Sequence, residues 1–316
     1  MLAALRAHED DLNRLNVFPV RDHDTGTNMA LTMSGIVVAL DAPTEGAPEP
    51  TFAGIAKGAG DAALEEARGN SGVILAEALR GLLDTWAPLR QVGPADLARG
   101  FRAAATAARE AVLDPVEGTI LSVADSVADS VADSVADSVA DATASAVEAH
   151  TDPHPHTERN TDAGVTVPAL LDRAAGAARQ AVAATREQLS VLRDAGVVDA
   201  AGYGLQLCLE AFAATVAGEL APTAPDVAPP AEASELPALF EVQYLLACER
   251  EAADELAREL GAIGDSVAVA GGNGTIRVHV HTDQAGAAIE AALRRGTLSR
   301  IQVSYLGPPG SPAASS

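Results

Sequence analysis

Leu15-Asn16-Val17-Phe18-Pro19-Val20-Arg21-Asp22-His23-Asp24-Thr25-Gly26-Thr27-Asn28-Met29 crowds carboxylates, amides and hydroxyls between two helical patterns. Before it, Leu2, Leu5, Leu12 and Leu15 recur at helical spacing, so residues 1–15 read as one helix. After it, apolar positions resume as a helix over 29–40. Asp22 and Asp24 stand two apart in a non-helical loop, so both can turn towards one hard cation. An oxygen-only ligand set of this kind suits Mg²⁺. Gly26 would let the backbone approach a phosphate closely. Thr27 and Asn28 open a helix, whose first N–H groups favour anions. The residues alone leave a second reading open, a turn whose aspartates only cap it.

Outward from this loop, Thr44 to Pro50 reads as a Pro/Gly/Glu loop, and helices follow over 52–67, 71–86 and 94–113. Residues 123–141 repeat Val-Ala-Asp-Ser in tandem. A period of 4 against the 3.6 of a helix makes the valine stripe drift about 40° per repeat. The aspartates at 125, 129, 133, 137 and 141 place like charges at i,i+4. One helix with its aspartates in water is the expectation, and a calcium- or partner-binding ladder the alternative. His150, His154 and His156 read as part of a solvated Pro/Asp/Thr-rich loop. Helices return at 168–184, 186–194 and 203–218, and 221–237, with five prolines, reads as a linker.

Beyond the linker the period falls to 2. Strands are expected at Phe240–Ala247, Ser266–Ala270, Thr275–His281 and Ser299–Val303, with helices at 249–260 and 283–295. Gly271-Gly272-Asn273-Gly274 is a hairpin turn. The order βαββαβ suggests a ferredoxin-like sandwich. The expected division is a mainly α domain over 1–220, the linker 221–237, a small α+β domain over 238–306 and a disordered tail over 307–316.

Composition narrows the function. With 316 residues, 48% hydrophobic and 21% charged, the chain has material for two ordinary domains. Aromatics are only 3%, so the cores must be built from Ala, Val and Leu, which leans towards helix. A net charge of −23 makes nucleic acid and anionic membranes poor partners. It would repel ATP as well, unless a divalent cation neutralises the meeting point. Cys208 and Cys248 make no disulfide framework, which suits a reducing compartment. No uninterrupted apolar run approaches the roughly 18 residues of a spanning helix. His8-Glu9-Asp10-Asp11 stands where a signal peptide would be apolar. A cytoplasmic protein without membrane insertion is the expectation.

The opening stretch resembles the signature of the DhaL-type kinase domain, found in dihydroxyacetone kinases and in the ATP-binding subunit of bacterial fatty acid kinase. The resemblance is closest to the latter. It continues in order through Ala67-Arg68-Gly69-Asn70-Ser71-Gly72-Val73-Ile74-Leu75 and Pro115-Val116-Glu117-Gly118-Thr119-Ile120-Leu121. Ala195-Gly196-Val197-Val198-Asp199-Ala200-Ala201-Gly202 and Val278-His279-Val280-His281-Thr282-Asp283 complete it. The resemblance implies a DhaL-like barrel of antiparallel helices with ATP or ADP bound at one end by interhelical loops.

Carried over by position, Asp22 and Asp24 are the catalytic, Mg-binding pair, with Asn16 as a third oxygen. Thr25, Thr27 and Asn28 sit near the phosphates. Asn70, Ser71 and Gly72 meet the nucleotide, and Thr119 and Asp199 lie on its adenosine side. Gly69 and Gly202 are turn glycines. The implied reaction moves the ATP γ-phosphate to a fatty-acid carboxylate held on a partner lipid-binding protein, giving an acyl phosphate. The alternatives are a catalytically weakened nucleotide-binding regulatory module and the nucleotide-binding subunit of a dihydroxyacetone (glycerone) kinase. A homodimer is left open.

Departures from the family pattern are also visible. Arg21 and His23 replace the family's Pro and Gly, and His23 would crowd the loop or bond a phosphate. The fatty acid kinase subunit continues into a large domain beyond the position of Val303, so the chain reads as a fragment or a shortened relative. Its first helix reads as truncated. His279 and His281, i,i+2 on a strand, share one face and could chelate zinc. The family completes that site with a cysteine, where this chain has Glu241. The other reading is two histidines in a polar surface network.

Overall fold

The computed structural model describes residues 1–41, 51–151, 164–219, 240–272 and 274–306. The expected 44–50 loop, the linker, the tail, His154 and His156 lie outside the described residues.

The expected first helix is two, α1 (Leu2–Ala7) and α2 (Glu9–Leu15). They part at His8, whose φ of −117° and ψ of 15° leave helical geometry. Leu5, Leu12 and Leu15 still turn into one core. Next come α3 (Thr25–Asp41), α4 (Phe52–Glu66), α5 (Gly69–Trp86), α6 (Pro94–Glu110) and α7 (Ile120–Thr151). The series continues with α8 (Val167–Gln188), α9 (Ser190–Ala195) and α10 (Ala200–Ala217). Its starts carry local signals: Thr51 and Asp199 accept from Gly54 and Gly202 N–H at 3.1 and 2.7 Å. Successive long helices pack side by side, and α10 returns against α1, α2 and α3 to close a ring. Leu12, Met29, Leu75, Val123, Leu170 and Cys208 fill its interior. Among the described residues α10 has the length and apolarity of a membrane span, and 61% of that window is buried inside the protein.

The Val-Ala-Asp-Ser repeat lies wholly on α7, and its valines drift as the period requires. Val123, Val127 and Val131 are buried, Val135 is half-buried, and Val139 is 61% exposed. Asp125 and Asp129 answer Arg109 and Arg102 of α6. The helix runs to Thr151, so the backbone of His150, expected in a loop, is helical.

The second half comprises β1 (Phe240–Ala247), α11 (Arg250–Gly261), β2 (Gly264–Gly272), β3 (Thr275–Thr282), α12 (Ala285–Leu293) and β4 (Thr297–Tyr305). The sheet order is β2-β3-β1-β4 with every neighbour antiparallel, the connectivity expected of a ferredoxin-like sandwich. Val242, Tyr244, Leu246, Val278 and Val280 meet Leu256, Leu260 and Ala288 of the helices on one face. Alternation puts Glu241, Gln243, Arg277, His279 and His281 on the other. All five are buried. That polar face lies against the helical ring, where β2 and β3 pack on α5. The α6–α7 loop also joins the sheet, since Val269 N–H donates to Ala111 C=O at 2.8 Å and Leu113 N–H to Val267 C=O at 3.2 Å.

Candidate functional site

The loop between α2 and α3 folds back on itself. Asn16, 2% exposed, donates its side-chain amide to Asp22. The Asp22 and Asp24 carboxyl groups lie within hydrogen-bonding reach of each other. Burial first, and then the Asp24 charge, pushes the Asp22 carboxyl far above the ordinary carboxylate range. Two half-buried carboxyl groups held this close are relieved by a shared proton or by a cation.

His23 sits between the two at φ 58°, in the left-handed region that glycine occupies freely. Its ring lies 3.0 Å from the Asn13 carbonyl oxygen, so it neither crowds the carboxylates nor reaches towards a phosphate. Gly26 also differs from expectation. A Cβ there would stand 2.3 Å from the Glu9 carbonyl oxygen, so this glycine serves the approach of α3 to α2 rather than of a phosphate.

A cavity of about 410 Å³ opens between the ring and the sheet. Asn16, Asp22, Asp24, Thr25 and Asn28 line it from the first loop and α3. Asn70 and Ser71 line it from the start of α5, Thr119 from the start of α7, and Asp199 from the cap of α10. The Asn70 Oδ1 atom is buried without a partner among the described residues. Asp199, fully buried, is raised to about 6 by desolvation, against the lowering effect of the Gly202 and Ile120 N–H groups.

Two expected members are elsewhere. The Thr27 hydroxyl donates to Glu9 at 2.7 Å and accepts from Asn13 at 3.0 Å, which turns it towards α2. Gly72 packs against Thr32, where a Cβ would meet the hydroxyl oxygen at 2.4 Å. Gly202 is no turn glycine, since it belongs to the first turn of α10.

The sheet supplies the opposite wall, with Glu241, His279 and His281 lining the same cavity. One ligand atom from each lies within 4.8 Å of the other two. His279 Nδ1 stands 3.4 Å from Glu241 Oε1. Both His279 ring nitrogens and His281 Nδ1 are buried with no hydrogen-bond partner among the described residues. The reading of these histidines as a surface network is therefore corrected, because His279 is 1% and His281 3% exposed. Burial holds His279 well below the ordinary imidazole range, with His281 and Arg277 adding to it. A neutral imidazole keeps a lone pair, as a metal ligand must. Glu241 is raised to about 7 by burial and by Asp24. The acidic loop and the histidine cluster, two separate sites in the sequence, thus feel each other's charge across one cavity.

Sequence reasoning missed Gln243 and Arg277 behind this wall, and Asp265, whose charge partly offsets the lowering of His281 by burial. A signal existed. Polar residues at every second position of Glu241-x-Gln243 and Arg277-x-His279-x-His281, on strands whose other face is apolar, mark a sheet face buried for a polar purpose.

Two stretches of the chain match known domain families. Residues 19–159 match the DAK2 domain, and residues 238–308 match the FakA-like middle domain of fatty acid kinase. Protein YloV of Bacillus subtilis is 29% identical over 311 residues, covering 92% of this chain and 51% of YloV. Uncharacterized protein SSP1546 of Staphylococcus saprophyticus is 27% identical over 316 residues, covering 95% of this chain and 52% of its own. The MG369 homolog of Mycoplasma pneumoniae is 27% identical over 320 residues, with 92% and 52% covered. The chain spans about half the length of the curated relatives it matches. It carries a DAK2, or DhaL-type, domain followed by a FakA-like middle domain.

Proposed function

We propose that the chain is the nucleotide-binding part of an ATP- and Mg²⁺-dependent phosphotransferase that phosphorylates a fatty-acid carboxylate presented by a partner protein. One observation carries the reading: the paired carboxylates, the start of α5, Thr119 and Asp199 line a single cavity. Asn16, Asp22 and Asp24 would hold magnesium, and the half-buried, crowded carboxyl groups fit it. When bound, magnesium offsets charge on the transferring phosphoryl group. Thr25 and Asn28 stand at the phosphates through their side chains, since Asn13 Oδ1 already accepts from the Gly26 and Thr27 N–H groups that open α3. Asn70 offers the nucleotide its unpartnered side chain, and Asp199 stands on the adenosine side. An acceptor carboxylate oxygen attacks the γ-phosphorus, the bond from phosphorus to the bridging oxygen breaks, and ADP departs. The product is an acyl phosphate.

Glu241, His279 and His281 would hold zinc, and their unpartnered nitrogens fit it. The α+β half with this cluster favours a fatty-acid acceptor over dihydroxyacetone, since the second DAK2-bearing reading gives it no task. The domain limits 1–220 and 238–306, and a cytoplasmic setting, belong to the same proposal.

Calorimetric titration with ATP, with and without Mg²⁺, tests the site, and turnover with a fatty acid on its binding protein tests the acceptor. Binding that requires Mg²⁺, followed by acyl phosphate formation, is expected. Binding without turnover of either acceptor supports a regulatory module instead, and turnover of dihydroxyacetone supports a glycerone kinase.

A further inference from the structure

Between α4 and α5 the chain turns a corner at Ala67, Arg68 and Gly69. Ala67 and Arg68 are extended, and Gly69 has φ +56°. A Cβ at Gly69 would lie 2.2 Å from Asn28 Nδ2, so the corner is pressed against α3. Backbone groups at such a corner have no helical partner and must be satisfied otherwise. Thr32 Oγ1 accepts from Arg68 N–H at 3.2 Å. The other two bonds come from the sheet: Arg277 Nε donates to the Ala67 carbonyl at 2.9 Å, and Gln243 Oε1 accepts from Gly69 N–H at 3.3 Å.

Arg277 is 2% exposed, and both of its hydrogen bonds among the described residues go to that one carbonyl. Burying a guanidinium against a neutral acceptor is costly, which argues against a merely structural contact. Gln243 has a second bond, donating through Nε2 to Glu241 Oε1 at 2.7 Å. Its orientation is fixed, because the Gly69 N–H can only donate, which takes Oε1 and leaves Nε2 for Glu241. One side chain therefore ties the Glu241 corner of the cavity to the amide that precedes Asn70 and Ser71.

We propose that Arg277 and Gln243 are positioning residues, with which the sheet holds the Ala67–Gly69 corner so that Asn70 and Ser71 face the nucleotide. Gln243 also makes the state of the Glu241 cluster felt at that corner. The proposal rests on the reading that nucleotide binds in this cavity.

The test is Mg·ATP titration of the full chain and of Gln243→Ala, Arg277→Lys and Arg277→Met, with amide hydrogen exchange on each. Loss of one buried bond is expected to weaken Mg·ATP about tenfold and to speed exchange at Gly69, Asn70 and Ser71 about tenfold. Arg277→Lys, which keeps a charged donor, should recover part of what Arg277→Met loses. A folded Gln243→Ala protein with wild-type affinity and wild-type exchange at those amides overturns the proposal. Should the arginine variants not fold, Gln243→Ala alone decides. A wild-type chain that binds no Mg·ATP sinks the nucleotide reading instead, and exchange at the corner then judges Gln243 separately.

Discussion

At the scale of single residues, the cavity concentrates charge that the fold would be more stable without. Asp22→Ala or Asp24→Ala should abolish phosphoryl transfer while leaving the helical circular dichroism unchanged. The same variants should melt no earlier than wild type, because each relieves the crowding of two half-buried acid groups. Unchanged transfer in both would remove the assignment. Asp199 allows a pH test. Its folded pKa of about 6 lies above the ordinary 3.8, so the folded state keeps a proton that the unfolded state has lost. This group's contribution is therefore full below about 3.8 and lost as pH rises through about 6. Asp199→Asn keeps an oxygen for the Gly202 N–H and removes that loss, so it should gain on wild type by a few kcal/mol between pH 4 and 7 in urea unfolding. At His23, φ 58° should make Val cost about 1–2 kcal/mol while Gly stays close to neutral. The Asp-X-Asp loop was legible because its residues are contiguous. Gln243 and Arg277 were not, since their partners lie 174 and 210 positions away.

At the scale of elements, α7 shows how far a pattern in sequence dictates packing. A four-residue repeat cannot keep one face inward, and the burial of its valines falls away along the helix as the arithmetic demands. Val131→Ala should therefore cost about 2 kcal/mol, and Val139→Ala less than about 0.5 kcal/mol, in chemical denaturation. Equal costs would mean that the helix bends to keep its stripe buried. Strands were legible from their period of 2, and the sheet order followed from the sequence of elements. The break at His8 was not, since neither Gly nor Pro marks it and only local backbone geometry sets it. Thr27 and Gly72 were misplaced for a related reason. A motif names the loop, but the turn of the helix decides that Thr27 faces Glu9 and Gly72 faces Thr32.

At the scale of the whole molecule, what the sequence could not convey is that its two chemistries share a room. Nothing in Asp22-His23-Asp24 or in His279-Val280-His281 says how a sheet docks on a ring of helices. That docking is set by buried polar contacts such as Arg277 to Ala67, which have no local signature. The same docking brings Asp22, Asp24 and Glu241 together inside a chain of net charge −23. Free ATP carries its own negative charge and meets repulsion from near and far, whereas Mg·ATP brings a cation to the place where the carboxylates crowd. Salt screens the long-range part of that repulsion within a Debye length of about 10 Å at 0.1 M. Raising NaCl from about 20 to about 200 mM should therefore strengthen any binding of metal-free ATP. The same change should leave Mg·ATP affinity level or weaken it, since its decisive attraction is short-range and unlike in sign. Titrations at the two salt concentrations, each with Mg²⁺ or with a chelator, measure both slopes. Parallel slopes would mean that the nucleotide meets this surface without the cation between them.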